Sequence, residues 1–258
     1  MSEPVANASV ARALAVALTV AFACALVVST VSVGLRPLQK ANLEAERRKQ
    51  LEVVINALAD IGQTQSIENL EARIVELASG RYDDTQDPAT FNAESAINKP
   101  GTSMLIPAEL DLAGIKRRAL HARIYLVRNP EGATELIILP VWGRGYQSSL
   151  RAWLVLDGDT SRILALKFYE HGETPGIGAR IQEPEWEALW RDAPVYDDSG
   201  VLRIGVRSRT GSTNTEDSGY LIDGISGATR TTQGVDGLIR FWLGDSGFGP
   251  YLRRIREE

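Results

Sequence analysis

From Ala13 to Leu35 the chain runs for 23 residues without a charged side chain, between Arg12 and Arg36. At about 1.5 Å per residue such a run makes a helix of about 35 Å, enough to cross a hydrocarbon core of roughly 30 Å. It is too long for the apolar region of a cleaved secretion signal, and no small-x-small exit follows it. Cys24 follows Ala23, but Ala21 stands three positions before it and apolar residues continue beyond, unlike a lipid-attachment site. The run predicts a single membrane anchor over 13–35, in contact with lipid, after a short tail over 1–12. Its orientation is less direct. Arg12 faces Arg36, Lys40, Arg47, Arg48 and Lys49 across the span, which favours a cytoplasmic C-terminal side. A long domain after a span can nevertheless be exported regardless of that count.

Bulk properties average two unlike parts. Mean hydropathy is −0.12, and 28 Lys and Arg against 33 Asp and Glu give a net charge of −5. The part beyond Leu35 is a polar stretch long enough for one good core. The acidic balance argues against nucleic acid, which wants clustered cations. Cys24, the only cysteine, lies in the anchor. That excludes disulfides and a four-cysteine iron–sulfur site within the chain. His121 and His171, the only histidines, lack metal-ligand spacing, so no metal is expected. Neither a phosphate-binding G-x-x-x-x-G-K-[ST] loop nor a strand–GxGxxG–helix unit occurs, so no NADH site is legible.

Residues 36–100 read as a helical lead-in and loop. A helix is predicted over 38–60, with charges at Glu44, Glu46, Arg47, Arg48 and Lys49 and an apolar stripe at Leu51, Val54, Ile55 and Leu58. A second is predicted from a Ser66 cap through Ile67, Leu70, Ile74 and Leu77 to a stop at Gly80. Residues 81–102 read as loop. From there to 258, short aliphatic runs alternate with turn signals: Arg123–Val127, Glu135–Val141, Arg151–Leu156, Ile163–Tyr169 and Leu202–Val206 as strands, with a tight turn at Asp157–Gly158. Helices are predicted over Glu183–Trp190, over Gly234–Leu243 and from Pro250. The fold class is α+β, a twisted, mostly antiparallel sheet flanked by helices. All five tryptophans fall at or after position 142, and Trp153 and Trp242 read as core.

One segment carries chemistry: Asp223–Gly224–Ile225–Ser226–Gly227–Ala228–Thr229, then Arg230–Thr231–Thr232. Small residues and hydroxyls before a helix make an anion site, because free N–H groups and the positive dipole end point at it. The same residues also suit a plain loop capped by Thr231 or Thr232. Two further glycine-punctuated segments stand out. His171–Gly172–Glu173–Thr174–Pro175–Gly176–Ile177–Gly178 is a loop after a strand, and Trp142–Gly143–Arg144–Gly145–Tyr146 offers two aromatic rings in a glycine-rich turn.

The stretch DGISGAT resembles the flavin-attachment motif of the FMN-binding domain family, which includes the C subunit of bacterial Na⁺-translocating NADH:quinone reductase and the G subunit of the Rnf electron-transport complex. PVWGRG from Pro140, HGETPGIG from His171 and the tail FWLGD…GFGP from Phe241 follow in the family's order. The resemblance covers the anchor and most of residues 100–258. It implies FMN joined through a phosphoester to Thr229, placed there by a Mg²⁺-dependent flavin transferase that reads a signature including Asp223, Ser226, Gly227 and Ala228. It puts the loop Glu173, Thr174, Pro175, Gly176 and Ile177 against the flavin, with Glu173 and Thr174 offering polar contacts, Ile177 an apolar face, and Trp142, Gly143 and Tyr146 nearby. A phosphodiester carries one negative charge, which a helix N-terminus can hold without a cluster of cations. Arg230 reads as a surface charge, and Glu173 equally as a solvated loop carboxylate. Asp223 can close an Asx turn.

The resemblance further implies an electron relay among other subunits of a respiratory complex, with no complete catalytic site of its own and Na⁺ movement elsewhere. The soluble domain is expected on the periplasmic face of a bacterial inner membrane. An Rnf-type subunit and a membrane-anchored flavin sensor are the alternatives. Chain length, WGRG and the FWLGD…GFGP tail favour the quinone reductase.

Overall fold

The computed structural model describes residues 12–26, 29, 45, 52, 70–207 and 219–257. The chain divides into two compact units, Met1–Glu52 and Val53–Glu258. In the first, helix α1 covers residues 12–26. Leu14, Leu18 and Phe22 are exposed on it, and the Thr19 hydroxyl donates to the Ala15 carbonyl at 2.8 Å. Among the described residues no helix is long and apolar enough to cross a membrane. The span expected over 13–35 and the helix expected over 38–60 both run into residues outside the described set.

The second unit is built on a seven-stranded sheet in the order β2-β1-β5-β6-β7-β8-β9. Its strands are β1 (Leu70–Glu76), β2 (Arg81–Tyr82), β5 (His121–Arg128), β6 (Thr134–Arg144), β7 (Ser149–Asp157), β8 (Arg162–Glu170) and β9 (Ala193–Pro194). Every pairing in it is antiparallel. The four central runs expected from the sequence are strands β5 to β8, joined in a meander. Pro140 sits inside β6 without breaking the ladder. It faces Trp153 of β7, while the β5 pairing runs only from Ile138 outward, so no partner needs its missing N–H.

Both faces of the sheet are buried. Leu126, Leu139, Leu154 and Leu166 belong to the main core with the helices. On the other face Tyr125, Trp153 and Tyr169 pack in a row, the first pair edge to face and the second tilted, with centroids 5.7 and 5.6 Å apart. Two-sided burial explains an error in the sequence reading. The helix expected from Ser66 to Gly80 is, from Leu70 on, strand β1, paired over seven positions with β5. Ile74 and Val75 point to opposite faces and are both buried, so the alternation that marks a half-exposed strand is missing. Residues 81–102 are likewise not all loop: they hold β2 and the short helix α2 (Ala93–Ile97), which Asn92 caps by accepting from Ser95 N–H.

Strands β3 (Ser103–Leu105) and β4 (Arg117–Ala119) form one small sheet, and β10 (Gly205–Arg207) and β11 (Leu221–Asp223) form a parallel pair. Leu202, expected as strand, makes only an isolated bridge to Tyr196. Helix α3 (Pro184–Glu187) and the 3₁₀ turn after it cover the Glu183–Trp190 expectation. Helix α4 (Thr229–Leu243) packs on β6 and β10, and α5 (Gly249–Glu257) closes the fold. Val235, Leu238, Ile239 and Trp242 recur at helical spacing on α4 and are fully buried. Gly237 brings α4 so close that a Cβ there would lie 2.1 Å from the Leu112 carbonyl oxygen.

Candidate functional site

Strand β11 delivers Asp223 to a turn that ends at Thr229, the first residue of α4. Two hydrogen bonds tie the turn to its surroundings. Trp186 Nε1 donates to the Asp223 carbonyl at 2.9 Å. The Ile225 N–H donates to Thr232 Oγ1 at 3.2 Å. Asp236 accepts the Val206 N–H at 2.8 Å and Arg240 Nε at 3.0 Å, fastening β10 to α4. The helix thus positions the strand pair that leads into it.

Gly227 takes a φ of +82°, where glycine is at ease, and Ala228 then serves as N-cap without a capping side chain. The first bond of the helix runs from Thr232 N–H to the Ala228 carbonyl at 2.9 Å. The N–H groups of Thr229, Arg230 and Thr231 therefore lack acceptors in the helix and form its positive end. α4 begins five residues before Gly234, and neither Thr231 nor Thr232 is its cap. Both are buried inside the first turn, Thr231 Oγ1 donating to Glu173 Oε2 at 2.6 Å and Thr232 Oγ1 accepting from Ile225. Thr229 alone of the three is exposed.

Two cavities meet at Gly227 and Thr229. One, of about 280 Å³, is lined by Tyr146, Glu173, Thr174, Ile177 and Gly178 together with residues 227–231. The other, of about 310 Å³, is lined by Arg207, residues 223–227, Thr229 and Thr232. Ser226, Gly227, Ala228, Glu173, Thr174, Ile177, Tyr146 and Asp223 thus come together around Thr229, as expected. Trp142, Gly143, Pro175 and Gly176 line neither cavity. Trp142 is turned onto Trp242, with centroids 4.1 Å apart, and its carbonyl accepts Trp242 Nε1 at 2.6 Å. β6 continues to Arg144, so residues 142 and 143 remain ladder residues and only Tyr146 clears the sheet.

Glu173 is not a solvated loop carboxylate. It is 4 % exposed and accepts from Gln147 N–H at 2.9 Å, Ser148 N–H at 3.2 Å and Thr231 Oγ1 at 2.6 Å. Burial acts to raise its pKa, but these hydrogen bonds outweigh it and hold the group below the usual carboxylate range. His171 Nδ1 accepts the Glu173 N–H at 3.2 Å, which orients the loop. Asp223 stands with its carboxylate 3.8 Å from the Arg207 guanidinium. Arg230 lies over the Tyr146 ring, 5.1 Å from its centroid, at the rim of the smaller cavity. A third cavity, near His121 and Phe91, lies among other residues and shares none with these two. Among the described residues no group of three His, Cys, Asp or Glu could hold a metal ion.

Residues 145–244 match the model of the FMN-binding domain family. The chain is 34 % identical over 255 residues to the C subunit of the Na⁺-translocating NADH-quinone reductase of Pseudomonas aeruginosa, covering 96 % of this chain and 97 % of that one. It is 36 % identical over 246 residues to that of Neisseria meningitidis serogroup B, covering 94 % and 93 %. This chain belongs to the C-subunit family of Na⁺-translocating NADH-quinone reductases. The crystal structure of Shewanella oneidensis NqrC shares the fold with a TM-score of 0.70 at 29 % identity, over 83 % of this chain and all of that one. The match to the C subunits extends well before residue 145, which accords with a sheet that begins at β1.

Sequence reasoning missed several residues of the site in this member of the family. Arg207 lines the larger cavity, and its Nε is buried without a hydrogen-bond partner among the described residues. Trp186 and Ser148 anchor the loops from outside the motifs. None of the three carries a local pattern; their roles come from β10, α3 and the β6–β7 turn arriving at one place.

Proposed function

We propose that the chain is the flavin-carrying subunit of a membrane-bound Na⁺-translocating NADH:quinone reductase, with FMN joined to Thr229 through a phosphoester. The reading rests on family membership and on one observation. Of the three threonines at the start of α4, only Thr229 is exposed, and it stands at an uncapped helix N-terminus between two cavities.

The residues present fit FMN. A phosphodiester suits the unbonded N–H groups at the start of α4, with Arg207 and Arg230 as nearby cations. The half-exposed Tyr146 and Ile177 give a flat ring system an aromatic and an aliphatic wall, and Thr174 a hydroxyl. When bound, the cofactor supplies electron transfer; the chain holds and orients it and shields one side from water. The sequence carries no dinucleotide fingerprint, so electrons from NADH reach this subunit through partners in the complex.

A flavin transferase would move FMN from FAD onto the Thr229 hydroxyl, the P–O bond to Thr forming as the FAD pyrophosphate breaks, with AMP leaving and the hydroxyl proton passing to water. The run over 13–35 would fix the chain in the bacterial inner membrane with its second unit on the periplasmic side. Reporters fused after residue 258 test that side: a strong cytoplasmic-reporter signal with none from an exported reporter would overturn it. Intact mass of the wild type, co-expressed with the transferase, is expected to show one FMN less one water. Flavin fluorescence that survives denaturation is expected to vanish in Thr229→Ala. Label persisting on that variant would move the attachment elsewhere.

A further inference from the structure

The three motifs picked out by their glycines converge on one side chain. Glu173 comes from the 171–178 loop, accepts from the backbone of the β6–β7 turn at Gln147 and Ser148, and accepts from Thr231 in the first turn of α4. Two of the glycines leave room for this carboxylate. A Cβ on Gly145 would lie 2.6 Å from Glu173 Oε1, and one on Gly178 would lie 2.8 Å from Glu173 Oε2. Ser148 returns the contact, its hydroxyl accepting the Gly172 N–H at 2.6 Å. These glycines are therefore spacing for a buried joint as much as room for a ligand.

We propose that Glu173 is a positioning residue: its carboxylate locks the β6–β7 turn, the 171–178 loop and the start of α4 together, and so governs how fast Thr229 is loaded. The proposal rests on Thr229 as the attachment point and makes a separate claim, because Glu173 acts through Thr231 and the loops. The same joint occupies the Thr231 hydroxyl, which leaves Thr229 as the presented nucleophile.

The test uses the full chain in membranes, with Glu173→Ala, Glu173→Gln and Thr231→Val. In chains made without the transferase, amide exchange over 145–148, 173–178 and 227–232 is expected to speed up by at least about tenfold in Glu173→Ala, which loses three charge-assisted bonds, and less in Thr231→Val, which loses one. With the transferase present, the initial rate of flavin labelling is expected to fall by a similar factor, about tenfold. Glutamine can still accept from the β6–β7 turn while its amide donates to Thr231, so Glu173→Gln is expected to recover most of the labelling lost in Glu173→Ala. Glu173→Ala and Thr231→Val combined are expected to match Glu173→Ala alone, because they break one joint.

Wild-type labelling rates in Glu173→Ala with faster exchange would overturn the proposal, as would unchanged exchange in both single variants. Glu173→Gln as impaired as Glu173→Ala would also overturn it, since charge and not the joint would then govern loading. If Glu173→Ala does not fold, Thr231→Val decides by the same two readouts. An unlabelled wild type would instead refute Thr229 as the acceptor, while the exchange comparison would still judge the joint.

Discussion

Strands β6 and β7 face one another across nine consecutive residue pairs, and Ile137, Leu139, Leu154 and Leu156 between them are fully buried. The junction at Thr229, from β11 into α4, is held by the opposite means. It uses single polar contacts: Trp186 to the Asp223 carbonyl, Ile225 to Thr232, and Thr231 to Glu173. Apolar area stabilises the first region, at roughly 25 cal/mol per Å². The second gains little from area and depends on groups that must each be met. Its outer surface stays open, with Ser226, Gly227, Thr229 and Arg230 exposed. A turn that stays this open gains little from burial, so its rigidity comes from joints beneath the surface.

The sharpest way to break this comparison is Thr229→Ala. It is expected to abolish covalent flavin while shifting unfolding free energy by no more than about 0.5 kcal/mol, because the side chain is exposed. Denaturing-gel fluorescence and a urea melt check the two halves. Trp242→Ala is the converse. It removes a fully buried ring and the bond to the Trp142 carbonyl, for an expected loss of about 3–5 kcal/mol. The molecules that remain folded should still accept flavin at Thr229. Gly237→Ala drives a methyl into the Leu112 carbonyl and is expected to cost about 1–3 kcal/mol in the same melt.

A smaller effect separates the polar joint from the sheet by pH. The native pKa of Glu173 is lowered, so its ionised form adds stability above the unfolded value of about 4.3. That increment disappears as pH falls through the native pKa. The melting temperature of the wild type is therefore expected to exceed that of Glu173→Gln at neutral pH, with the gap closing on acidification. A gap independent of pH would show that the carboxylate charge contributes nothing to the junction.

The sequence made the area-stabilised region legible and the joint-stabilised one only in part. Strands β5 to β8 announced themselves by aliphatic runs between turn residues, and the apolar stripe of α4 by its spacing. β1 misled because Ile74 and Val75 bury on both faces, and pairing with β5 overrode a pattern that also suited a helix. At the site, the motif residues did gather around Thr229. Trp142 did not, since its orientation was set by Trp242, a hundred positions away. The role of Glu173 was unreadable for the same reason: its partners Gln147, Ser148 and Thr231 lie 25 to 58 positions away. Local pattern reveals what a residue can do, whereas the partner that claims it depends on topology.

The bond from Trp186 to the Asp223 carbonyl has an optical consequence. It fixes a buried indole at the base of the 223–229 turn, edge-on to Trp190 with centroids 5.6 Å apart. Indole emission overlaps the absorption band of oxidised flavin, and that band bleaches on reduction. With FMN on Thr229, as proposed, the ultraviolet-excited emission of this pair is expected to dim when the flavin is oxidised and to recover when it is reduced. The proposed attachment would thus put a native donor dye beside the cofactor, whose redox state could be followed in time without adding a label.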